Sequence, residues 1–345
     1  MEKVNRLNYI GSKFQLLDWI TNFMKEKIGS FEDKIIGDLF AGTGIVSHHL
    51  RNQGAIVYAN DVELYSSIIT HALTCSDYNN DCQEIINTLN TEIEAGKRTI
   101  GFVTTYYSPY NGERMFFTVD NAQCIDYTRQ RLEEFNLNKN DYNFILGSII
   151  ISADAVSNVP AVYGCYLKKF KDKALKKFYI KVIHKSINSN LKSLTFNQNV
   201  SELKLEFLDL VYLDPPYNQR QYSKNYFPLN IIAKTPEQLL SEPPLKGKTG
   251  IPTDCFVSPF CKKGKPVETA FDELFKTLNT NFIFLSYNSE SLISKDKMIE
   301  IMKKYGTVTV IEKEYKRFKS FEYNKNVPIK EYLFCLTKAK AQNKC

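Results

Sequence analysis

The sequence carries a single tryptophan and only four histidines (48, 49, 71 and 184). It contains no run of about 18 uninterrupted apolar residues, so no segment reads as a membrane-spanning helix. Its opening residues, MEKVNRLNYIGSK, lack the apolar core of a secretion signal, and the protein is expected in the cytoplasm. Eight cysteines are present (75, 82, 124, 165, 255, 261, 335 and 345), but none forms a Cys-x-x-Cys pair. The histidines supply no helical ligand pair either, so the spacings that hold zinc are missing and no metal is expected. The cysteines read as reduced and mostly buried. Internal repeats and low-complexity tracts are absent, which excludes a solenoid or an extended polar chain.

What is present is an ordinary packed composition: 345 residues, 43% hydrophobic and 24% charged. Lys and Arg outnumber Asp and Glu by 45 to 38, a net charge of +7 that leans mildly toward an anionic partner such as nucleic acid. Leu16, Leu17, Ile20, Phe23, Met24 and Ile28 fall at helical spacing, which predicts an amphipathic helix over 14–28. A short apolar strand, Lys34–Phe40, then runs into the turn Ala41-Gly42-Thr43-Gly44 and a helix over Ile45–Asn52. A second strand, Ala55–Ala59, ends at Asn60-Asp61. Strand, glycine turn, helix, strand and acid form the opening unit of a doubly wound α/β sheet.

Residues 64–190 break this pattern and read as mostly polar helices, with one hairpin signal at Asn111-Gly112 between β-rich stretches 102–107 and 115–119. Within it, residues 165–192 hold nine lysines, Lys168 and Lys169 among them, against the single acid Asp172. Such a stretch fits a solvated helix face over an aromatic stripe as well as it fits a phosphate-contacting face. Strand-like runs return at 205–213, 282–287, 307–311 and 330–336, with a helix at 268–278. Six of the twelve prolines fall in 234–267, predicting a long irregular loop there.

Two constellations carry chemistry. In the first, Asp38-Leu39-Phe40-Ala41-Gly42-Thr43-Gly44 with Asp61, the glycines let backbone approach a ligand and the acid can accept from ribose hydroxyls, so a nucleoside cofactor is implied. A dinucleotide fingerprint is incomplete, because Ser47 stands where its third small residue belongs. The second is Asp214-Pro215-Pro216-Tyr217 at the carboxyl end of an apolar strand. Asp-Pro-Pro alone can simply end a strand. A proline-stiffened loop bearing a carboxylate, a carbonyl and an aromatic ring also suits an exocyclic amino group on a planar base: two acceptors for its hydrogens and a surface for the ring.

The ordered set Asn8-Tyr9-Ile10-Gly11-Ser12-Lys13, Asp38 to Gly44 and Asp214 to Tyr217 resembles adenine-specific DNA methyltransferases of the Dam and FokI-methylase type across nearly the whole chain. The stretches 163–169, 214–226 and 326–332 look closest to the FokI-methylase branch. The resemblance implies a Rossmann-like, S-adenosylmethionine-dependent methyltransferase sheet of seven mostly parallel strands with helices on both faces. A mainly helical target-recognition domain (75–190) would be inserted between catalytic segments 1–74 and 191–345. It implies a cofactor pocket of Tyr9, Gly11, Lys13, Asp38, Phe40, Ala41, Gly42, Gly44 and Asp61. Asn199 would stand where the family often has an acid for the cofactor's adenine. Asp214, Pro215, Pro216 and Tyr217 would be catalytic, and double-stranded DNA the substrate, with a restriction endonuclease of the same site as a further partner. Asn111, Arg114, Lys168, Lys169, Arg220, Gln221 and Tyr222 are the candidate DNA contacts.

Three other readings stay open at this stage. Methylation of an RNA base uses similar loops, though usually beginning with Asn. A nicotinamide dehydrogenase leaves the Asp-Pro-Pro-Tyr loop unexplained. A DNA-binding regulator without activity does not need that loop intact.

Overall fold

The computed structural model describes residues 4–187, 192–315 and 329–339. Residues 326–328 of the late family-like stretch lie outside these. The first amphipathic pattern folds as α1 (Leu17–Ile28), with Leu17, Ile20, Phe23 and Met24 buried and Gly29 closing it at positive φ. Next come β1 (Ile35–Asp38), α2 (Ile45–Arg51), β2 (Ile56–Asn60) and α3 (Leu64–Thr74), in the expected order. The segment that follows is helical: α4 (Asn80–Glu94), α5 (Phe102–Tyr107), α6 (Val119–Leu132), α7 (Lys139–Ala155) and the short α8 (Asp172–Leu175). Beyond it run β3 (Leu194–Phe196), β4 (Leu210–Leu213), α9 (Tyr222–Ala233), α10 (Pro236–Leu239), β5 (Leu245–Lys246) and β6 (Ile251–Pro252). The chain continues through α11 (Lys265–Thr277), β7 (Phe282–Asn288), α12 (Lys295–Lys303), β8 (Gly306–Tyr315) and β9 (Ile329–Lys338).

Seven strands form one sheet in the order β3-β2-β1-β4-β7-β9-β8. The pairs from β3 to β7 are parallel, and β9 runs antiparallel to both β7 and β8. This is the expected mostly parallel, doubly wound sheet. Alternation along each strand sends side chains to two cores. On β4, Leu210 and Tyr212 join Phe284, Leu333 and Cys335 against α1 and α2, while Val211 and Leu213 join Leu285 and Phe334 against α11 and α12. Helices α4, α6 and α7 share a third core with α3 and α9, so the intervening helical unit is packed onto the elements that flank it.

Three local expectations fail for physical reasons. The hairpin at 102–119 does not form: the backbone N–H groups of Gly101, Val103 and Thr104 all donate to the buried Asp126 carboxylate. That anchor winds 102–107 into a helix, with Val103, Thr104 and Tyr107 buried, and Asn111 ends a 3₁₀ turn capped by Ser108. The lysine-rich stretch is not a long helix either. The side chains of Asn90, Asn121 and Asn158 bind its backbone at Ile180, at Ala174, Lys176 and Phe178, and at Leu167 and Lys171, holding it as irregular chain around the single turn of α8, with Ala174, Phe178 and Ile180 buried. The strand expected over 205–213 shortens to β4, and the edge strand β3 had no counterpart in the sequence reading.

Candidate active site

The glycine turn leaves β1 at the carboxyl edge of the sheet, between β1 and β2. Gly42 has φ +53°, and a Cβ there would stand 3.3 Å from the Tyr9 ring, so backbone and ring close on each other. The Asp61 carboxylate fixes the turn from the end of β2, accepting from Gly42 N at 2.8 Å and Glu63 N at 2.9 Å. The Ser66 hydroxyl and Val62 N also donate to it, so the carboxylate is held by donors from both the glycine turn and α3, while burial raises its pKa. Tyr9 stacks on Tyr226, with ring centroids 4.7 Å apart, and leans on Tyr222 at 5.4 Å. Tyr226 OH accepts from Ile10 N and Tyr222 OH donates to Ile10 O, so α9 grips the amino-terminal segment.

The Asp214–Tyr217 corner leaves β4 beside this turn. Tyr217 OH donates to Asp214 Oδ1 and lies 3.1 Å from Ser286 Oγ on β7, while Tyr217 O accepts from Leu292 N. Lys13 Nζ lies 3.1 Å from the same Asp214 Oδ1, 3.0 Å from Gly11 O and 4.6 Å from the Tyr217 ring centroid. Burial pushes the Asp214 carboxyl above the usual carboxylate range, and the Lys13 charge and the Tyr217 hydroxyl pull against it. Asp38 is buried, accepts from Ser47 Oγ at 2.6 Å, and is raised by burial to about 7. Its Oδ1 has no hydrogen-bond partner among the described residues.

One cleft is lined by Tyr9, Gly11, Lys13, Asp38, Phe40, Ala41, Gly42, Asp61 and Asn199 on one side and by Asp214 to Tyr217, Gln221 and Tyr222 on the other. Gly44 is set behind it: at φ +69°, a Cβ there would come within 3.0 Å of the Thr70 backbone, so its role is the packing of α2 on α3. Asn199 spends its side chain locally, donating to Glu202 and accepting from Ser201 N. The remaining candidates divide. Gln221 clamps the loop before α11, donating to Ser258 O and accepting from Ser258 N, and Arg220 is exposed and outside the cleft lining. Asn111 and Arg114 line a separate hollow with Tyr166 and Lys248. There the Arg114 guanidinium donates to the carbonyls of Tyr106, Gly247 and Lys248, and Tyr107 OH donates to Gly250 O, so the β5–β6 hairpin is tied to the helical unit. Lys168 and Lys169 are exposed.

Glu63 escaped the sequence reading. It is 4% exposed, accepts from Ser223 Oγ and from Asn230 Nδ2 on α9, and is raised by burial to about 7. It joins the β2–α3 turn that holds Asp61 to the helix that follows the Asp-Pro-Pro-Tyr loop. An acid two residues after Asp61, opening the largely apolar α3, was the available signal.

The unpartnered buried oxygen of Asp38, the Asp61 carboxylate in the same cleft and the side-chain-free approach at Gly42 suit a cationic, ribose-bearing donor. Beside them sits a carboxylate–phenol pair that can meet an amino group. Comparison with known proteins agrees with this chemistry. The family model for D12 class N6 adenine-specific DNA methyltransferases matches residues 9–301. Type II methyltransferase M.CviAII of Paramecium bursaria Chlorella virus 1 is 39% identical over 96% of this chain and 98% of its own. M.NlaIII of Neisseria lactamica is 34% identical over 91% and 93%, and M.FokI of Planomicrobium okeanokoites 32% over 96% of this chain but 53% of its own.

Proposed function

The chain belongs to the D12 class of N6 adenine-specific DNA methyltransferases, and from that premise we propose how its cleft transfers a methyl group from S-adenosylmethionine to the exocyclic nitrogen of an adenine turned out of duplex DNA. The observation that carries this reading is the shared cleft, in which the Asp214–Tyr217 corner faces the Gly42 turn and Asp61. When bound, S-adenosylmethionine supplies an electrophilic methyl group on a sulfonium. Tyr9, Gly42 and Asp61 would hold it, with the buried Asp38 carboxyl offering an unpartnered oxygen nearby.

Asp214 and the Pro215 carbonyl do the work on the base. The amino nitrogen of adenine is a poor nucleophile because its lone pair is delocalised into the ring. Acceptors for both of its hydrogens draw the lone pair out of that conjugation and fix its direction. Holding two reactants in line can lower the barrier by up to about 7 to 11 kcal/mol, so orientation carries the larger share. Tyr217 offers the extruded ring a stacking surface, worth about 1–3 kcal/mol per base. No covalent enzyme intermediate is required, and none of the cysteines lies in the Asp-Pro-Pro-Tyr loop.

Sequence reading we assign to residues 75–190 together with Arg220, which is exposed next to the cleft-lining Gln221. The type II relatives support a role in restriction-modification, with an endonuclease of the same site as the functional partner. Expression in a methylation-free host followed by single-molecule mapping of modified adenines tests the whole reading. One modified adenine in a fixed sequence context is the expected outcome. Tritium transfer from S-adenosylmethionine to RNA but not to duplex DNA would overturn it.

A further inference from the structure

Glu331 lies near the start of β9, opposite Asn288 of β7. Strand alternation puts Glu331, Leu333 and Cys335 on one face, across from Asn288, Ser286 and Phe284. This is the face covered by α1, where Tyr212 also points and where the Tyr217 hydroxyl meets Ser286. Glu331 is 7% exposed. The Asn288 side chain donates to its carboxylate, yet Oε2 has no hydrogen-bond partner among the described residues.

The charged and titratable groups that act on Glu331 are Lys13, Asp214, Tyr212 and Tyr217. The two lysines nearest in the sheet are engaged elsewhere. Lys313, its register partner on β8, lies 6.0 Å from the Trp19 ring, and Lys330 pairs with Glu312 at 3.5 Å.

We propose that Glu331 is a positioning residue for methyl transfer, receiving the Lys13 ammonium when the amino group of the flipped adenine takes over Asp214. This rests on the function proposed above. Asp214 Oδ1 is already committed to Lys13 Nζ and Tyr217 OH, which together fill both of its lone-pair sites. An incoming N–H that needs this oxygen must displace one of them. Lys13 is 3% exposed, and a buried ammonium separated from its carboxylate is strongly unfavourable unless a second anion takes it. Glu331 is a second carboxylate on that face with an oxygen to spare. The handover also moves the Lys13 charge away from Asp214, where the cationic methyl donor has to come close.

The test compares Glu331→Gln, Glu331→Asp and Lys13→Met with the wild-type chain. Melting temperature, S-adenosylmethionine affinity by calorimetry and single-turnover transfer to duplex DNA are measured for each. Glu331→Gln should melt and bind the donor as wild type does, while transfer slows about tenfold or more. Glu331→Asp should recover part of that rate. In a Lys13→Met background the Glu331→Gln change should slow transfer no further, because the ammonium it serves is gone. An unchanged rate in folded Glu331→Gln, equal losses of donor binding and rate, or an undiminished effect in the Lys13→Met background would each overturn the role. The two possible failures are separable. An inactive wild-type chain defeats the function and this inference together, whereas an active one with an indifferent Glu331→Gln defeats only the latter.

Discussion

Lys13 Nζ stands 3.1 Å from Asp214 Oδ1, although 200 residues of chain lie between them, and both side chains are largely buried. The pair joins the amino-terminal segment to the corner after β4, and the Lys13 charge opposes the rise that burial gives the carboxyl's pKa. On the mechanism proposed above, the acceptor is thereby formed before a base is bound and is held by Lys13.

Asp214→Ala should abolish methyl transfer while S-adenosylmethionine affinity, read by calorimetry, stays near wild type. In the proposed mechanism the carboxylate belongs to the acceptor side of the cleft rather than to the turn that holds the donor. Parallel loss of binding and turnover would show that the side chain supports the cofactor pocket instead.

Lys13→Met should move the acid limb of the single-turnover rate to higher pH. Asp214 must be ionised to accept, burial raises its pKa, and the Lys13 charge opposes that rise. Removing the charge raises the pKa further, so more of the enzyme is protonated and inactive at a given pH on the acid side. An acid limb that stays in place would separate Lys13 from the ionisation of Asp214.

Asp61→Ala should weaken S-adenosylmethionine by about tenfold or more, since the carboxylate both fixes Gly42 and lines the cleft beside it. Affinity for duplex DNA, measured without the cofactor, should change little. Asp61→Asn keeps one acceptor oxygen and should fall between the two. Unaltered donor affinity would remove Asp61 from the pocket.

Glu63→Gln should flatten the pH dependence of stability. A carboxyl raised from 4.5 to about 7 by burial keeps its proton in the folded chain over a range where the unfolded chain has lost it. Its contribution is therefore fully present below about pH 4.5 and fades as pH rises toward 7, by up to about 1.4 kcal/mol per unit within that window. The neutral amide lacks this loss, so the variant should gain on the wild type between pH 5 and 8, as read by thermal melting. A constant offset across that range would mean that hydrogen bonding, not ionisation, governs the site.

Much of the catalytic half was legible in the sequence because its signals are local. The apolar run into Ala41-Gly42-Thr43-Gly44, the acid after β2 and the stiff corner after β4 each declare themselves within a few residues, and the sheet brings all three to one edge. The helical unit was less legible. Phe102–Tyr107 has strand-forming residues, but the Asp126 carboxylate that winds it into a helix lies about twenty residues downstream. Glu63 and Glu331 resemble ordinary surface acids in one dimension. Only the docking of α9 on the β2–α3 turn, and the pairing of β9 with β7, make them buried groups. The Lys13–Asp214 pair was hidden for the same reason, since nothing in either segment names the other.

The ties from Arg114 and Tyr107 to the β5–β6 hairpin bear on engineering. If sequence reading lies in residues 75–190 as proposed, specificity invites exchange of the stretch between β2 and β3 as a single cassette. Here a donor cassette would arrive without the ribbon at 245–252 that those two side chains grip by its backbone, and the recipient's own ribbon would meet foreign partners. A functional chimaera therefore has to carry two separate pieces of the donor chain, cut on either side of the catalytic corner.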